Sequence, residues 1–241
     1  KLSKSKSGNT SNGFIVYAHD HRGHGASVKN KSDLGYFYTE DINYIIDDLY
    51  QVTKYIKGKY SNLEVNLFSH SMGTLVARNY LKKYDNQINK IILSGPPTEN
   101  KMAGLGIVIA KFLNIFYRKN TPNKILNTMT FGSYSKKSKK ANSWICSKNK
   151  SVDEYNSDEL CGYIFTTNGF INLYKLMKES FETKNWRIKN KDLKIYIIAG
   201  REDPVIQNKK KFEKLGIFIK NIGYKNVELK LYPNMKHEIL N

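Results

Sequence analysis

The hydrophobic and polar positions of this chain predict short buried strands separated by amphipathic helices. Apolar runs typical of buried strands occur at residues 14–18, 65–68, 88–94, 193–199 and 227–232. Apolar residues recur every three or four positions, as on one face of a helix, at residues 40–57, 72–84 and 208–222. Gly58 is expected to end the first of these helices. Strands that alternate with helices in this way predict an α/β fold with a mostly parallel sheet flanked by helices.

Residues 98–186 interrupt this alternation, because they show helical and irregular character and no clear strands. An insertion at this place between two strands is expected to lie over the carboxyl edge of the sheet as a helical cap. We therefore expect a core made of residues 13–97 and 187–241, a cap at 98–186, and a polar disordered segment at 1–12. The apolar helix predicted at 104–117 either lines a lipid-binding tunnel, touches a membrane surface or packs on the core.

A candidate nucleophile follows the strand at 65–68. Residues 67–73 read LFSHSMG, so a strand runs into Ser71 and a helix begins directly after it. This is the arrangement of a nucleophile elbow, which exposes a serine hydroxyl at a sharp strand-to-helix turn. Ser69 stands where the G-x-S-x-G pattern has its first glycine, and we expect this small side chain to be tolerated. Gly73 keeps the second glycine, and His70 is expected to pack and form hydrogen bonds beside the nucleophile.

An acid and a base follow in the order that such a site needs. Asp203 comes directly after the strand at 193–199, and His237 comes shortly after the strand at 227–232. A serine hydroxyl needs an adjacent base to act as a nucleophile. His237 is expected to take and return the proton, and Asp203 to orient its ring. The amide of Met72 is a candidate oxyanion donor.

A second group of polar residues lies at 19–25, of sequence HDHRGHG. Three histidines and an aspartate invite a metal site, but the H-x-H-x-D-H order of dinuclear hydrolases is absent from this stretch. We expect no metal here. Asp20, Arg22 and His24 are instead expected to brace the loop through charge-assisted hydrogen bonds.

The motifs together resemble the monoacylglycerol lipase and lysophospholipase-like (serine aminopeptidase-type) branch of the α/β-hydrolases. The resemblance rests on residues 17–27, 70–73, 200–205 and 237–240, with a segment like the cap of bacterial members at 158–166. It implies an α/β-hydrolase fold, hydrolysis of a monoacylglycerol or lysophospholipid ester, and no cofactor. In that family an H-G-x-x-E-H-type loop and preceding strands supply a second oxyanion donor. This sequence does not contain them, so it is expected to be a hydrolase domain cut at both ends.

Other interpretations remain open from the sequence. The chain could be a catalytically impaired remnant, a lipid- or membrane-binding protein that works through its cap, or an aminopeptidase. Against the last, we find no obvious acidic cluster in the cap to hold a substrate amine.

The composition adds limits on location and partners. The net charge is +19, mostly from lysine, and abundant asparagine suggests a drift in composition rather than a nucleic-acid role. Peripheral contact with an anionic membrane is the alternative explanation. Two cysteines make no disulfide framework, and no apolar segment resembles a secretory signal. We therefore expect a cytoplasmic protein, whether or not it associates with a membrane.

Overall fold

The computed structural model describes residues 2–4, 13–116, 118–134 and 140–241. Its central feature is a sheet of four parallel strands in the order β3-β4-β5-β6. These strands are β3 (Asn66–His70), β4 (Lys90–Ser94), β5 (Lys194–Gly200) and β6 (Asn226–Tyr232). Because the strands are parallel, the loops that follow all four of them leave from one edge of the sheet.

Three helices belong to the core around this sheet, namely α1 (Asn43–Lys59), α2 (Met72–Tyr84) and α7 (Lys209–Ile222). Their apolar residues at intervals of three and four face inward. In α7, for example, Phe212, Leu215 and Ile219 are buried while the charged positions between them are exposed. Helices α2 and α7 contact the strands and α1 packs on α2, so these buried faces form much of the hydrophobic core.

Residues 98–186 contain four helices, α3 (Ala103–Phe116), α4 (Lys124–Phe131), α5 (Asn149–Ser157) and α6 (Thr167–Glu179). Helix α6 packs against both α3 and α2, and the Asn79 side chain on α2 donates a hydrogen bond of 3.2 Å to the carbonyl of Leu176. Helix α6 therefore joins residues 98–186 to α2, beside the sheet. No helix in the described ranges is long and apolar enough to cross a membrane.

A second, two-stranded sheet pairs β1 (Leu2–Lys4) with β2 (Tyr17–His19) in antiparallel register. The expectation that residues 1–12 form a disordered segment is wrong for these three residues, because backbone pairing to β2 does not require apolar side chains. The rest of the 1–12 segment lies outside the described residues.

Most element boundaries shift by one to three residues from the sequence prediction, and two of these differences have a clear physical reason. The strand expected at 14–18 is observed at Tyr17–His19, since Phe14 and Ile15 are exposed and do not contribute to a buried strand. Gly58 does not end α1, which continues to Lys59. A side chain at Gly58 would point into open space, so no packing contact selects the glycine as a helix end.

Candidate active site

Ser71 occupies the single position between the end of β3 and the start of α2. Its backbone has φ 52° and ψ −122°, a left-handed conformation that costs a non-glycine residue about 1–3 kcal/mol. The turn is held from both sides. The Ser71 N–H donates to the carbonyl of Ser94 at 2.9 Å, and the Ser71 carbonyl accepts from the N–H and the hydroxyl of Thr74. A strained serine fixed in this way has the geometry of a nucleophile elbow.

The two positions flanking this turn explain why the first glycine of the motif can be absent. The Ser69 hydroxyl donates to the carbonyl of Ile92 on the neighbouring strand at 3.1 Å. A Cβ atom built on Gly73 would lie 3.8 Å from the Ser69 Cβ, which is ordinary van der Waals contact. The serine therefore fits without crowding the start of α2, and its hydroxyl has a partner.

Asp203 and His237 form a buried hydrogen-bonded pair in the loops after β5 and β6. The Nδ1 atom of His237 lies 2.9 Å from Oδ2 of Asp203, and the two side chains are only 4% and 0% exposed. The other carboxylate oxygen accepts the N–H of Val205 at 2.8 Å. An ionised carboxylate only accepts, so Nδ1 carries the proton and Nε2 is left as the basic nitrogen.

Gly95, the residue after β4, connects this pair with the elbow. It has φ +56°, and a Cβ built on it would lie 2.9 Å from both Cε1 and Nδ1 of His237 and 3.3 Å from Oδ2 of Asp203. Its neighbour Ser94 accepts the Ser71 N–H. The imidazole therefore lies directly against the backbone that also holds the elbow.

His70 lies between the elbow and the histidine loop. Its ring centroid is 4.5 Å from that of His237, and its Nδ1 atom is 3.4 Å from the hydroxyl of Ser94. Burial, with a further contribution from His237, lowers the pKa of His70 to about 4. His70 is therefore neutral at neutral pH and adds no positive charge beside His237.

Residues 98–186, the expected cap, contribute contacts to the site that the sequence does not predict. The Trp144 ring centroid lies 5.2 Å from that of His237, and Tyr134 packs against Trp144 at 5.1 Å. Burial, and secondarily the charge of Asp203, raises the pKa of Tyr134 to about 12. No periodicity or motif in the sequence marks these aromatic residues as neighbours of the histidine.

Three hydrogen bonds fasten the same part of the cap to the histidine loop. The Glu238 N–H donates to the carbonyl of Ile145 at 2.7 Å, and the Lys236 ammonium donates to the carbonyl of Ser143 at 2.6 Å. The Ser147 hydroxyl donates to the carbonyl of Asn234 at 2.9 Å. Residues 143–147 and 234–238 are therefore joined at the edge of the sheet where His237 lies.

The loop at 19–27 places its polar residues as follows. Oδ2 of Asp20 accepts the N–H of Ala26 at 3.0 Å, and Nδ1 of His24 donates to the carbonyl of Arg22 at 2.9 Å. Arg22 leaves the loop and makes a two-pronged bond to Asp48 on α1, at 2.6 and 2.9 Å, which raises the pKa of its guanidinium. Arg22 thus ties the loop to a helix 26 residues away.

The three histidines of this loop lie close together without ligating geometry. The His19 and His21 rings meet edge to face, with centroids 4.7 Å apart, and burial lowers the pKa of His21 to about 3. In the part of the chain that the structure describes, no group of three or more His, Cys, Asp or Glu side chains is placed to hold a metal ion.

A cavity of about 560 Å³ lies beside this loop and α1, where Asp20, Tyr38 and Gln51 are among its lining residues. Neither Ser71, Asp203 nor His237 lines it. The buried hydrogen-bonded pair, rather than cavity size, therefore marks the candidate active site.

Known proteins resemble this chain in sequence. The family described as "Serine aminopeptidase, S33" matches residues 10–241. A probable lysophospholipase L2 from Haemophilus influenzae is 34% identical over 84 residues, covering 35% of this chain and 26% of the relative. Monoglyceride lipase from Mus musculus is 30% identical over 154 residues, covering 61% of this chain and 43% of the relative. These matches span less than half the length of either relative.

Solved structures agree on the fold. A thermostable carboxyl esterase from Bacillus coagulans superposes with a TM-score of 0.84 at 23% identity, covering 97% of this chain and 76% of the esterase. A soluble variant of the monoglyceride lipase from Saccharomyces cerevisiae gives a TM-score of 0.69 at 20% identity, with 97% and 72% covered. The predicted α/β-hydrolase fold is confirmed. The chain belongs to the serine aminopeptidase S33 family of α/β-hydrolases, in which it resembles lysophospholipases and monoglyceride lipases.

Proposed function

We propose that this chain is a serine hydrolase that cleaves carboxylic esters of lipids, of the monoacylglycerol or lysophospholipid class, through an acyl-enzyme. The observation that carries the proposal is the buried His237–Asp203 bond of 2.9 Å, packed against Gly95 beside the strained Ser71. The names of its relatives, a lipase and a probable lysophospholipase, support a lipid ester as substrate.

In the proposed mechanism, Nε2 of His237 removes the proton from the Ser71 hydroxyl as the oxygen attacks the ester carbonyl. Asp203 holds the ring in the tautomer that leaves Nε2 basic, and it stabilises the imidazolium that forms. The N–H of Met72, at the start of α2, donates to the developing oxyanion. The imidazolium then protonates the leaving alcohol, and an acyl group remains on Ser71.

The second half of the reaction repeats these roles with water. Nε2 of His237 takes a proton from a water molecule, which attacks the acyl carbonyl and releases the fatty acid. Ser71 recovers its proton from the imidazolium. Every group in these steps belongs to the chain, the substrate or water, and the proposal requires no cofactor.

An aminopeptidase is the second candidate, because the family's description names that activity. A substrate amine needs a carboxylate near the scissile bond, and no hydrogen bond or ion pair of the described residues places an Asp or Glu of residues 98–186 against Ser71 or His237. We therefore favour an ester over an aminoacyl amide.

We also propose a cytoplasmic location, since both cysteines, Cys146 and Cys161, are free.

The test is covalent labelling of the folded protein with a fluorophosphonate, with mass spectrometry to locate the adduct. We expect one adduct on Ser71, its loss in Ser71→Ala, and its retention in Ser69→Ala, which changes the other serine of the same motif. If Ser71 is labelled, the next step is to compare the rates at which the enzyme cleaves a monoacylglycerol, a lysophosphatidylcholine and an aminoacyl anilide. Faster cleavage of the anilide would replace the ester proposal, and an unlabelled but folded protein would make the chain a catalytically impaired remnant.

A further inference from the structure

Helix α2, which begins at the elbow, carries a fully buried arginine. The side chain of Arg78 has no exposed surface, yet it makes no ion pair with any residue that the structure describes. The ring of Phe181 packs on the guanidinium, with its centroid 4.7 Å from Cζ. Burial lowers the pKa of Arg78 to about 9, so the group is still charged at neutral pH. A buried charge without a counter-ion is costly, and an apolar side chain of similar volume is often as stable or more stable in its place.

The hydrogen bonds of Arg78 lead to both halves of the candidate site. Nη2 of Arg78 donates to the carbonyl of Pro97 at 2.8 Å, and Nε donates to the carbonyl of Thr74 at 3.3 Å. Thr74 in turn donates both its N–H and its hydroxyl to the carbonyl of Ser71. One planar guanidinium therefore links the first turn of α2, which holds the candidate nucleophile, to the loop after β4.

The loop that accepts this bond is the loop that lies against the candidate base. Pro97 comes two residues after Gly95, and a Cβ on Gly95 would lie 2.9 Å from two atoms of the His237 ring. The Gly95 N–H donates to the carbonyl of Ile198 on β5 at 2.8 Å. The bond to β5 fixes the point where the loop leaves the sheet, and the bond from Arg78 holds the loop two residues further on.

We propose that Arg78 is a positioning residue, which holds residues 95–97 at the distance from Ser71 that keeps the His237 ring against the elbow. The inference rests on the proposed function, because it concerns the base of that same reaction. A guanidinium suits this task because it donates in two directions from one rigid plane. This requirement explains why a charge is kept at a position where packing alone would favour an apolar side chain.

The experiment compares the parent with Arg78→Met, Arg78→Lys and a matched control. Methionine fills a similar volume without donating a hydrogen bond, whereas lysine keeps the charge and one donor for the Pro97 carbonyl. The control is Asn79→Leu. Asn79 is the next residue of α2 and is also buried, but its amide donates to the carbonyls of Leu75 and Leu176 and not to the loop after β4.

The first measurement is fluorophosphonate labelling of Ser71 as a function of probe concentration. We expect Arg78→Met to lower the labelling rate at saturating probe by about tenfold and to leave the half-saturating concentration unchanged, because the reacting groups are misplaced while the probe still binds. The melting temperature should change little. Arg78→Lys should recover most of the lost rate, and Asn79→Leu should label like the parent. An arginine with a purely structural role would instead lower the melting temperature and leave the labelling of folded protein unchanged.

The second measurement does not depend on activity. Amide hydrogen exchange in a peptide that spans Gly95, followed by mass spectrometry, reports how often the bond from Gly95 to Ile198 opens. We expect exchange in this peptide to be about tenfold faster in Arg78→Met and unchanged in Asn79→Leu.

The two measurements separate the role of Arg78 from the proposed function. A folded parent that the probe does not label would refute the proposed function, and the exchange rates would still test the role of Arg78. Unchanged exchange in Arg78→Met, or equal effects of Arg78→Met and Asn79→Leu, would overturn that role whatever the labelling shows.

Discussion

Replacing Gly95 with alanine places a methyl carbon against the His237–Asp203 pair, and the structure allows its effect to be worked out. Two separate problems arise at this position. The backbone has φ +56°, which disfavours any side chain, and the new carbon would lie 2.9 Å from two atoms of the His237 ring. Ordinary contact begins near 3.4 Å, so the ring must retreat by about half an ångström.

The ring has little room for that movement. His70 lies 4.5 Å from it, centroid to centroid, and Trp144 lies 5.2 Å away. A displaced imidazole loses either its 2.9 Å bond to Asp203 or its alignment towards the serine. Misplacement of a reacting group by about 1 Å can cost about a hundredfold in rate, so we expect Gly95→Ala to slow fluorophosphonate labelling of Ser71 by about ten- to a hundredfold.

Gly13→Ala is the matched control, because Gly13 also has a positive φ, +76°, but nothing lies within 4 Å of the point that its Cβ would occupy. It reproduces the backbone penalty of about 1 kcal/mol without the steric contact. Labelling rates are compared for folded proteins of equal far-ultraviolet circular dichroism. If Gly95→Ala labels as fast as Gly13→Ala, the close packing of Gly95 on His237 does not constrain the reaction, and our reasoning is wrong.

Three other substitutions test further parts of the molecule. Asp203→Asn should lower the labelling rate by about 10³–10⁴-fold at unchanged melting temperature, because an amide N–H that faces Nδ1 of His237 shifts the ring proton to Nε2. An unchanged labelling rate would remove Asp203 from the proposed mechanism. Ser71→Gly should be more stable to urea than Ser71→Ala by about 1 kcal/mol, because glycine adopts φ 52° without strain; equal stability would contradict the strained elbow. The pKa of His21 is about 3 in the folded chain and about 6.5 in the unfolded chain. The stability that the neutral His21 ring contributes is therefore fully present above pH 6.5 and is lost as the pH falls towards 3. The free energy of unfolding should therefore drop by up to about 2 kcal/mol more between pH 7 and pH 5 in the parent than in His21→Gln, as measured by urea denaturation.

The sequence predicts the bounds of an element best where the local residue pattern and the packing of the folded chain favour the same element. Helix α2 begins and ends where predicted, at Met72 and Tyr84, because the elbow motif fixes its start and its apolar stripe is buried. The strand predicted over 14–18 is misplaced for the opposite reason. Phe14 and Ile15 are apolar but exposed, and a single sequence does not tell which apolar residues a neighbour will cover.

In the candidate site, the sequence identifies the residues that belong to short recognisable motifs. The pairing of His237 with Asp203 is expected from chain order, and the structure places the two atoms 2.9 Å apart. The partner of Arg22 is not predictable in this way, since Asp48 lies in a helix with no motif of its own. The packing of Trp144 on His237 depends on how an irregular segment folds back across the sheet, and no repeat or spacing encodes that path.

The bonds between residues 143–147 and 234–238 have an evolutionary and a practical consequence. Ser143 and Lys236 are 93 positions apart in the chain, yet they are joined directly. A recombination event or an engineered chimera that exchanged residues 98–186 alone would separate two segments that are bonded to each other. The transferable unit in this protein is therefore residues 98–186 together with the loop that carries His237. A chimera that takes residues 98–186 from a relative should take residues 234–238 from the same relative.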